Sequence, residues 1–128
     1  MITRVDLPAQ GFAENYTYLK LRDRASYAFA LVSVAVGLRM DGDRIAEARL
    51  ALGGVAHKPW RDPEAEALLR DKAASHEAFA AVADKILASA QPQSANAFKI
   101  PLAKRAIVRA LKQAADGTPQ TVAEKTVR

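Results

Sequence analysis

The side chains that could do chemistry in this sequence are few and scattered. The chain contains no cysteine, so disulfides, thiol nucleophiles and cysteine-ligated iron–sulfur clusters are excluded within it. Its two histidines, His57 and His76, each lack a second ligand at metal-binding spacing. No serine lies in a nucleophile-elbow sequence. We therefore expect no catalytic residue and no metal site in this chain, and surface positions for both histidines.

Two features could bind phosphate groups, and each has a simpler explanation. Gly53-Gly54 does not belong to a G-x-G-x-x-G pattern, so we interpret it as a strand end that needs glycine. A predicted helix carries four cations on one face: Lys104, Arg105, Arg109 and Lys112. These cations could follow a nucleic-acid backbone, but no aromatic residues are interleaved with them and no DNA-binding motif surrounds them. A solvated helix face is favoured despite the net charge of +5.

A cluster in the first quarter of the chain combines cations with aromatic rings. Arg22-Asp23-Arg24 follows a segment that contains Tyr18 and Lys20, and Tyr27 comes soon after. Aromatic faces together with guanidinium and ammonium groups suit a planar, anionic ligand such as a flavin nucleotide. This cluster is the best binding-site candidate that composition and spacing provide.

The first half of the chain has the pattern of β-strands. Four segments show it: residues 2–7, which end at Pro8, residues 16–21, residues 29–39 and residues 44–52. The third segment is almost continuously apolar, which predicts a strand buried on both faces. Asp41-Gly42 predicts a tight turn into the fourth, because glycine supplies the positive φ of a hairpin. Alternation in the fourth predicts one face made of Ala46, Ala48, Leu50 and Leu52.

The second half of the chain has the pattern of α-helices. The first is predicted to begin at Asp62-Pro63 and to end at Leu69 or Arg70. The second is capped by Ser75 and is predicted to run to Ala90. The third is predicted over residues 101–115, ended by Asp116-Gly117. Strands followed by helices predict an α+β fold, an antiparallel sheet of three to four strands packed against three helices.

The chain has the length of one domain. We assign residues 1–116 to that domain and expect residues 117–128 to be a disordered tail, because the tail has no apolar period. No apolar run is long enough to span a membrane. Charges at Arg4 and Asp6 argue against a signal peptide at the N-terminus. We expect a cytoplasmic protein, or a periplasmic one if it is exported with a partner subunit.

Several stretches, taken in order, resemble the C-terminal domain of FAD-binding subunits in the xanthine dehydrogenase, aldehyde oxidase and carbon monoxide dehydrogenase family. They are ITRVDLP at residues 2–8, YLKLRDR at 18–24, YAFALVSVAV at 27–36, ARLALGGVA at 48–56, PWR at 59–61 and NAFKI at 96–100. The resemblance covers residues 2 to about 115, and its specificity lies in the ordered set. It is strongest to the bacterial three-subunit aldehyde oxidoreductases, whose flavin subunit is a separate polypeptide.

The resemblance implies a CO dehydrogenase flavoprotein C-terminal domain-like fold and a role in electron transfer. In the family, a molybdopterin centre hydroxylates substrate, and 2Fe-2S clusters pass the electrons to FAD. The domain would help form the flavin site and dock the neighbouring subunits, while a preceding, glycine-rich FAD-binding domain, absent from this chain, holds the flavin pyrophosphate. By resemblance, Lys20 and Ile2 are the FAD-binding residues. The alternative for Lys20 is a surface lysine at a strand end, and for Ile2 it is strand packing.

The resemblance predicts part of an oxidoreductase that is not catalytic as this chain alone. Its partners would be the FAD-binding N-terminal domain and the molybdopterin and 2Fe-2S subunits, and nucleic acid and membranes are not expected. The alternative hypothesis, from another class, is a non-enzymatic assembly or nucleic-acid-binding module that uses the basic helix face. Substrate contacts lie in another subunit, so this chain predicts no substrate.

Overall fold

The fold combines a four-stranded antiparallel sheet, in the order β1-β2-β3-β4, with three helices. The computed structural model describes residues 1–7, 9 and 11–117. The strands are β1 (Asn15–Leu21), β2 (Val32–Asp41), β3 (Arg44–Gly53) and β4 (Lys72–Ala73). The helices are α1 (Pro63–Ala67), α2 (His76–Ile86) and α3 (Lys99–Ala115). The predicted α+β fold class is confirmed.

The β2–β3 hairpin forms as the sequence predicts, with one difference in register. Asp41 pairs with Arg44 across a two-residue turn in which Gly42 has a φ of 59°. The pairing shifts by one residue next to Met40, so Ala46 is an extra, bulged residue. Ile45 is consequently buried in the core, whereas Ala46 is half-buried. The prediction that Ala46 shares the buried face was wrong because strict alternation does not include a bulge.

The predicted first strand, residues 2–7, does not form. The described residues before β1 have no strand pairing, and Ile2 and Leu7 are 85% and 88% exposed. A strand needs a neighbouring edge to satisfy its backbone groups, and alternation along one segment cannot supply that neighbour. The strand prediction was therefore wrong, and Pro8, its proposed end, lies outside the described residues.

The prediction that β2 is buried on both faces was wrong for part of its outer face, where Ser33 and Gly37 are buried but two other residues are exposed. The large side chains of β2 that face the helices are buried: Val32, Val34, Val36 and Leu38. On the opposite face Ala35 and Arg39 are exposed. Small apolar residues on that face gave the segment the continuous hydrophobicity of a doubly covered strand. In the described structure, much of that face has no helix over it.

The first two helices begin where the capping residues predict, whereas α3 begins at Lys99, two residues before its predicted start and without a side-chain cap. The Asp62 carboxylate accepts hydrogen bonds from the backbone N–H groups of Glu64 and Ala65 at 2.9 and 3.3 Å. The Ser75 hydroxyl accepts one from Ala78 N–H at 3.2 Å. The first two helices end about three residues earlier than predicted, because their last residues form turns.

The core lies between the sheet and α3. Helix α3 packs on β1 and β2, α2 packs on α3, and α1 lies against β3. The predicted apolar face of α3 is buried throughout: Ala103, Ala106, Ile107, Ala110, Leu111 and Ala114. Two hydrogen bonds tie β1 to the end of α3, from Asn15 Nδ2 to Ala114 O at 2.8 Å and from Thr17 Oγ1 to Gln113 Oε1 at 3.5 Å.

Two further predictions concern the end of α3 and the residues after it. Gly117 ends α3 with a φ of 72°, as a helix-terminating glycine does. Residues 118–128 lie outside the described residues, so the predicted disordered tail stays a prediction. The helices of the described ranges do not reach the length and hydropathy of a membrane span.

Candidate functional site

The candidate site lies on the sheet face that is turned away from α3. Residues paired directly across antiparallel strands share a face of the sheet. On the face turned away from α3, three rows of such paired residues run across β1, β2 and β3. They are Tyr16–Gly37–Arg49, Tyr18–Ala35–Ala51 and Lys20–Ser33–Gly53, taken from β1 through β2 to β3. We call these residues the open face. Its floor consists of small residues, with tyrosine rings and Lys20 along β1.

A cleft of about 810 Å³ lies between the open face and the chain that precedes β1. Ala9, Gly11, Phe12 and Ala13 form one wall, and residues of the open face form the floor. The Phe12 ring packs on Gly37 so closely that a Cβ there would lie 2.8 Å from Phe12 Cγ. Position 37 therefore needs glycine for this close approach. Tyr16 and Tyr18, at the side of the cleft, are 45% and 52% exposed.

The predicted cluster of cations and aromatic rings is divided between the end of β1 and the loop that follows it. Lys20 is exposed and shares the open face with Tyr18. Residues 22–31, which we call the aromatic loop, follow directly, and Leu31 N–H closes the loop on Leu21 O at 2.9 Å. The Arg24 guanidinium donates to the backbone carbonyl of Tyr27, whose φ is 52°.

The aromatic loop presents its rings to solvent. Tyr27 is 94% exposed and Phe29 is 97% exposed. Large aromatic side chains that are almost fully exposed and only two residues apart are typical of a binding surface. The structure thus places the aromatic loop directly after the strand that carries Lys20, at one end of the open face.

Charged groups at the other end of the open face are partly paired. Arg39 and Arg49 each bind the Glu47 carboxylate, at 3.1 and 2.8 Å. Hydrogen bonds from Arg49 and then Arg39 hold the pKa of Glu47 below its ordinary value. These groups are exposed to solvent, so the pairing orients the guanidinium groups more than it stabilises the fold.

A buried ion pair beside the cleft was missed by the sequence analysis. Glu66, buried at the start of the helical half, accepts two hydrogen bonds from Arg61, from Nε at 2.7 Å and from Nη2 at 2.8 Å. It also accepts the Leu50 backbone N–H at 2.9 Å. The hydrogen bond from Arg61 to Glu66 raises the pKa of the Arg61 guanidinium group. Arg61 also lines the cleft, so the ion pair positions a cation at its rim.

The remaining candidates lie apart from the cleft. Ile2 is exposed in the segment ahead of the residues that line it, so its assignment to FAD stays a prediction, as does that of Lys20. His57 and His76 are exposed, as expected. Within the described ranges, no group of three His, Cys, Asp or Glu side chains comes together as a metal site would require.

The basic face of α3 is partly neutralised. Lys104 Nζ lies 2.6 Å from a carboxylate oxygen of Asp84, and Lys112 Nζ lies 2.8 Å from one of Asp116. Arg105 is exposed and Arg109 is half-buried. An array that tracks phosphates needs cations free to contact them, and two of these are already engaged with carboxylates.

Comparison with known proteins identifies the relatives of the chain. The family profile of the CO dehydrogenase flavoprotein C-terminal domain matches residues 16–114. The chain is 47% identical over 114 residues to the aldehyde oxidoreductase FAD-binding subunit PaoB of Escherichia coli K12. The aligned region covers 89% of this chain and 32% of PaoB. It is 30% identical over 95 residues to the glyceraldehyde dehydrogenase medium chain of Sulfolobus acidocaldarius, 73% of this chain and 33% of the relative.

Solved structures agree with these relatives. The carbon monoxide dehydrogenase of Hydrogenophaga pseudoflava matches with a TM-score of 0.75 and 31% identity, over 84% of this chain and 39% of that one. Quinoline 2-oxidoreductase of Pseudomonas putida 86 matches with a TM-score of 0.75 and 28% identity, over 81% and 38%. The chain spans about a third of the length of the curated relatives it matches.

Proposed function

This chain belongs to the family of CO dehydrogenase flavoprotein C-terminal domains, and on that premise we propose that it is the C-terminal domain of the FAD-binding subunit of a molybdenum hydroxylase. It helps form the flavin site and docks the neighbouring parts of the enzyme. The observation that carries the proposal is the 47% identity to an FAD-binding subunit along 89% of the chain.

The side chains of the open face fit the ring system of a flavin. The tyrosine rings along β1 can pack beside a flat aromatic group, and Lys20 supplies a cation at the end of the same strand. The part of the chain that the structure describes has no G-x-G-x-x-G loop leading into a helix. The donor set therefore suits a shared site, in which another domain holds the pyrophosphate.

Bound FAD would supply the hydride and electron chemistry, and this chain would supply its surroundings. The Lys20 ammonium group would stabilise negative charge on the ligand, because opposite charges attract more strongly where water is excluded. The tyrosine rings beside it would exclude that water. As this chain alone, the domain would not be catalytic.

The same proposal extends to partners and location. The domain would contact an FAD-binding domain of its own subunit and the molybdopterin and 2Fe-2S subunits of a complex. Its relatives are subunits of oxidoreductases of this kind, which supports partner subunits in general. We propose the cytoplasm as its location, or the periplasm if a partner exports the complex.

An assembly or nucleic-acid-binding module is the less favoured function. It would use the basic face of α3, where Lys104 and Lys112 are paired with carboxylates. Nucleic-acid affinity that falls steeply as salt rises would be its signature.

The test is the composition of the native gene product, purified from its own host. Intact mass together with the visible absorption spectrum decides between the two functions. A yellow protein that releases FAD on denaturation supports the proposal. A colourless protein with no FAD in the denatured extract contradicts it.

A further inference from the structure

The open face has a composition unsuited to contact with water. An antiparallel sheet with one solvated face ordinarily places polar side chains on that face. Here the centre carries Ala35, Ala51 and Gly37, residue types that are depleted in strands because they cover little of the pleated surface. Small residues at the centre of a sheet allow another surface to approach closely.

The chain covers this face in part. Phe12 fills the space above Gly37, where a Cβ would clash with the ring. Among residues 1–7, 9 and 11–117, none packs over the neighbouring row as Phe12 does over Gly37, and Ala35 is exposed in the middle of the central strand. Tyr18, beside it on β1, is half-exposed. The close packing that Phe12 begins is therefore incomplete over the adjacent row.

The segment before β1 leads onto this face and carries exposed apolar side chains that alternate with polar ones such as Arg4 and Asp6. Its exposed apolar side chains are Ile2, Val5 and Leu7. The residues that follow it, Ala9 and 11–13, line the cleft above the open face. The segment therefore runs directly into one wall of that cleft.

We propose that the open face is the surface on which the flavin-binding portion of the subunit docks, with Ala35 near the centre of the contact; this inference rests on the proposed function. The length of the relatives and the C-terminal place of the matching domain indicate which part of the protein docks there. The curated relatives are about three times as long as the part this chain matches, and the matching family is that of a C-terminal domain.

The charges around the open face match a domain interface with a polar rim. Arg49 and Arg61 lie at one end, and Lys20 at the other. An apolar centre surrounded by charged side chains is the usual anatomy of a protein contact. Ligands shared by two domains bind at the boundary between them. Docking on the open face places Lys20 at that boundary, beside the aromatic loop.

The test uses single thiols, because this chain has no cysteine of its own. Ala35→Cys reports on the open face, and Ala81→Cys, on the exposed side of α2, is the matched control. Maleimide labelling is measured by peptide mass spectrometry, in the 128-residue chain and in the native protein from its own host. A face docked nine-tenths of the time slows labelling about ten-fold, because the undocked state alone reacts.

We expect both thiols to react at similar rates in the isolated chain, and Ala35→Cys alone to be protected in the native protein. A photo-crosslinker attached to the A35C thiol should then join it to the flavin-binding portion of the subunit. Free reaction of Ala35→Cys in the native protein, or a crosslink to a second copy of this chain or to another subunit, would overturn the proposal.

FAD content measured on the same samples separates this inference from the proposed function. FAD-containing protein with a freely reactive A35C thiol refutes the docking surface and leaves the function standing. Native protein without FAD refutes the function, and the docking proposal fails with it.

Discussion

The buried carboxylate of Glu66 joins a helix to the middle of a strand. It accepts Leu50 N–H from β3 and two N–H groups of Arg61, so the outer edge of β3 and the start of α1 are held together. Glu66 lies sixteen residues from Leu50 in sequence. No periodicity or capping pattern relates two such positions, and the sequence predicts only that Glu66 lies within the first helix.

Replacing Glu66 by Gln should lower the free energy of unfolding by about 1–3 kcal/mol, since a neutral amide satisfies a backbone N–H and a guanidinium group less well than a carboxylate. Urea unfolding of the 128-residue chain measures it. Glu64→Gln, at an exposed position of the same helix, is the matched control and should change little. An unfolding midpoint equal to wild type for Glu66→Gln would contradict this account.

Lys20 is the residue whose proposed role is most directly testable. In the complete FAD-binding subunit, Lys20→Ala should weaken FAD binding by about ten-fold, equivalent to about 1.4 kcal/mol. The physical reason is the loss of a cation beside an anionic ligand. Lys20→Arg keeps the charge and should retain most of the affinity, and Arg105→Ala removes an exposed cation of α3 and should have no effect. Equal FAD affinity in Lys20→Ala and wild type would remove Lys20 from the site.

At the scale of elements, the short helix α1 depends on its first residue. The Asp62 carboxylate accepts two backbone N–H groups that no residue of the helix can pair. Asp62→Ala should therefore cost about 1 kcal/mol of stability. Thermal unfolding followed by circular dichroism measures the change. Asp23→Ala, in the exposed aromatic loop, is the control, and equal losses in the two variants would argue against the cap.

A strand, turn or helix could be predicted where the residues that specify it lie within its own sequence. Gly42 specifies the β2–β3 turn by itself, and the apolar stripe of α3 specifies which side is buried. Residues 2–7 and part of the outer face of β2 were predicted wrongly, because each depends on a neighbour that the pattern cannot reveal. For residues 2–7 a pairing strand is missing from the described structure, and over Ala35 a covering layer is missing.

The residue types of the candidate site could be predicted from the sequence, but their arrangement in space could not. Tyr18, Lys20 and Tyr27 are close in sequence, which is why they could be grouped without a structure. Arg49 and Arg61 join the cleft across the sheet, from another strand and from the connection after it. Their contribution depends on strand register, which a single sequence does not determine when the outer face is made of small residues.

At the scale of the whole molecule, acid should weaken the fold through its paired carboxyl groups. The pKa values of Glu47 and Glu77 lie below their ordinary value of 4.5, because Arg49 binds the first and hydrogen bonds at the start of α2 bind the second. A carboxyl group whose pKa is lower in the folded state than in the unfolded state stabilises the fold at a pH above its unfolded-state pKa. That stabilisation is lost as the pH falls through its folded-state pKa.

Unfolding midpoints measured from pH 7 down to about pH 3 should show that decline. The double variant Glu47→Gln and Glu77→Gln should decline less steeply over the same range, since its two amides do not titrate. Parallel curves for the variant and wild type would show that other carboxyl groups account for the acid sensitivity.

The protected outer edge of β3 limits how the domain can polymerise. Along that edge, the Glu66 carboxylate, the bridge from Leu52 to Trp60 and the short strand β4 occupy backbone groups that an incoming chain would need. Within the described ranges, no strand pairs with the outer edge of β1. A filament built by strand addition needs a usable edge on both sides of every subunit, and in the described part of the chain the side beyond β3 offers only the two-residue strand β4. We therefore expect edge-to-edge pairing to use β1 and to stop at two chains.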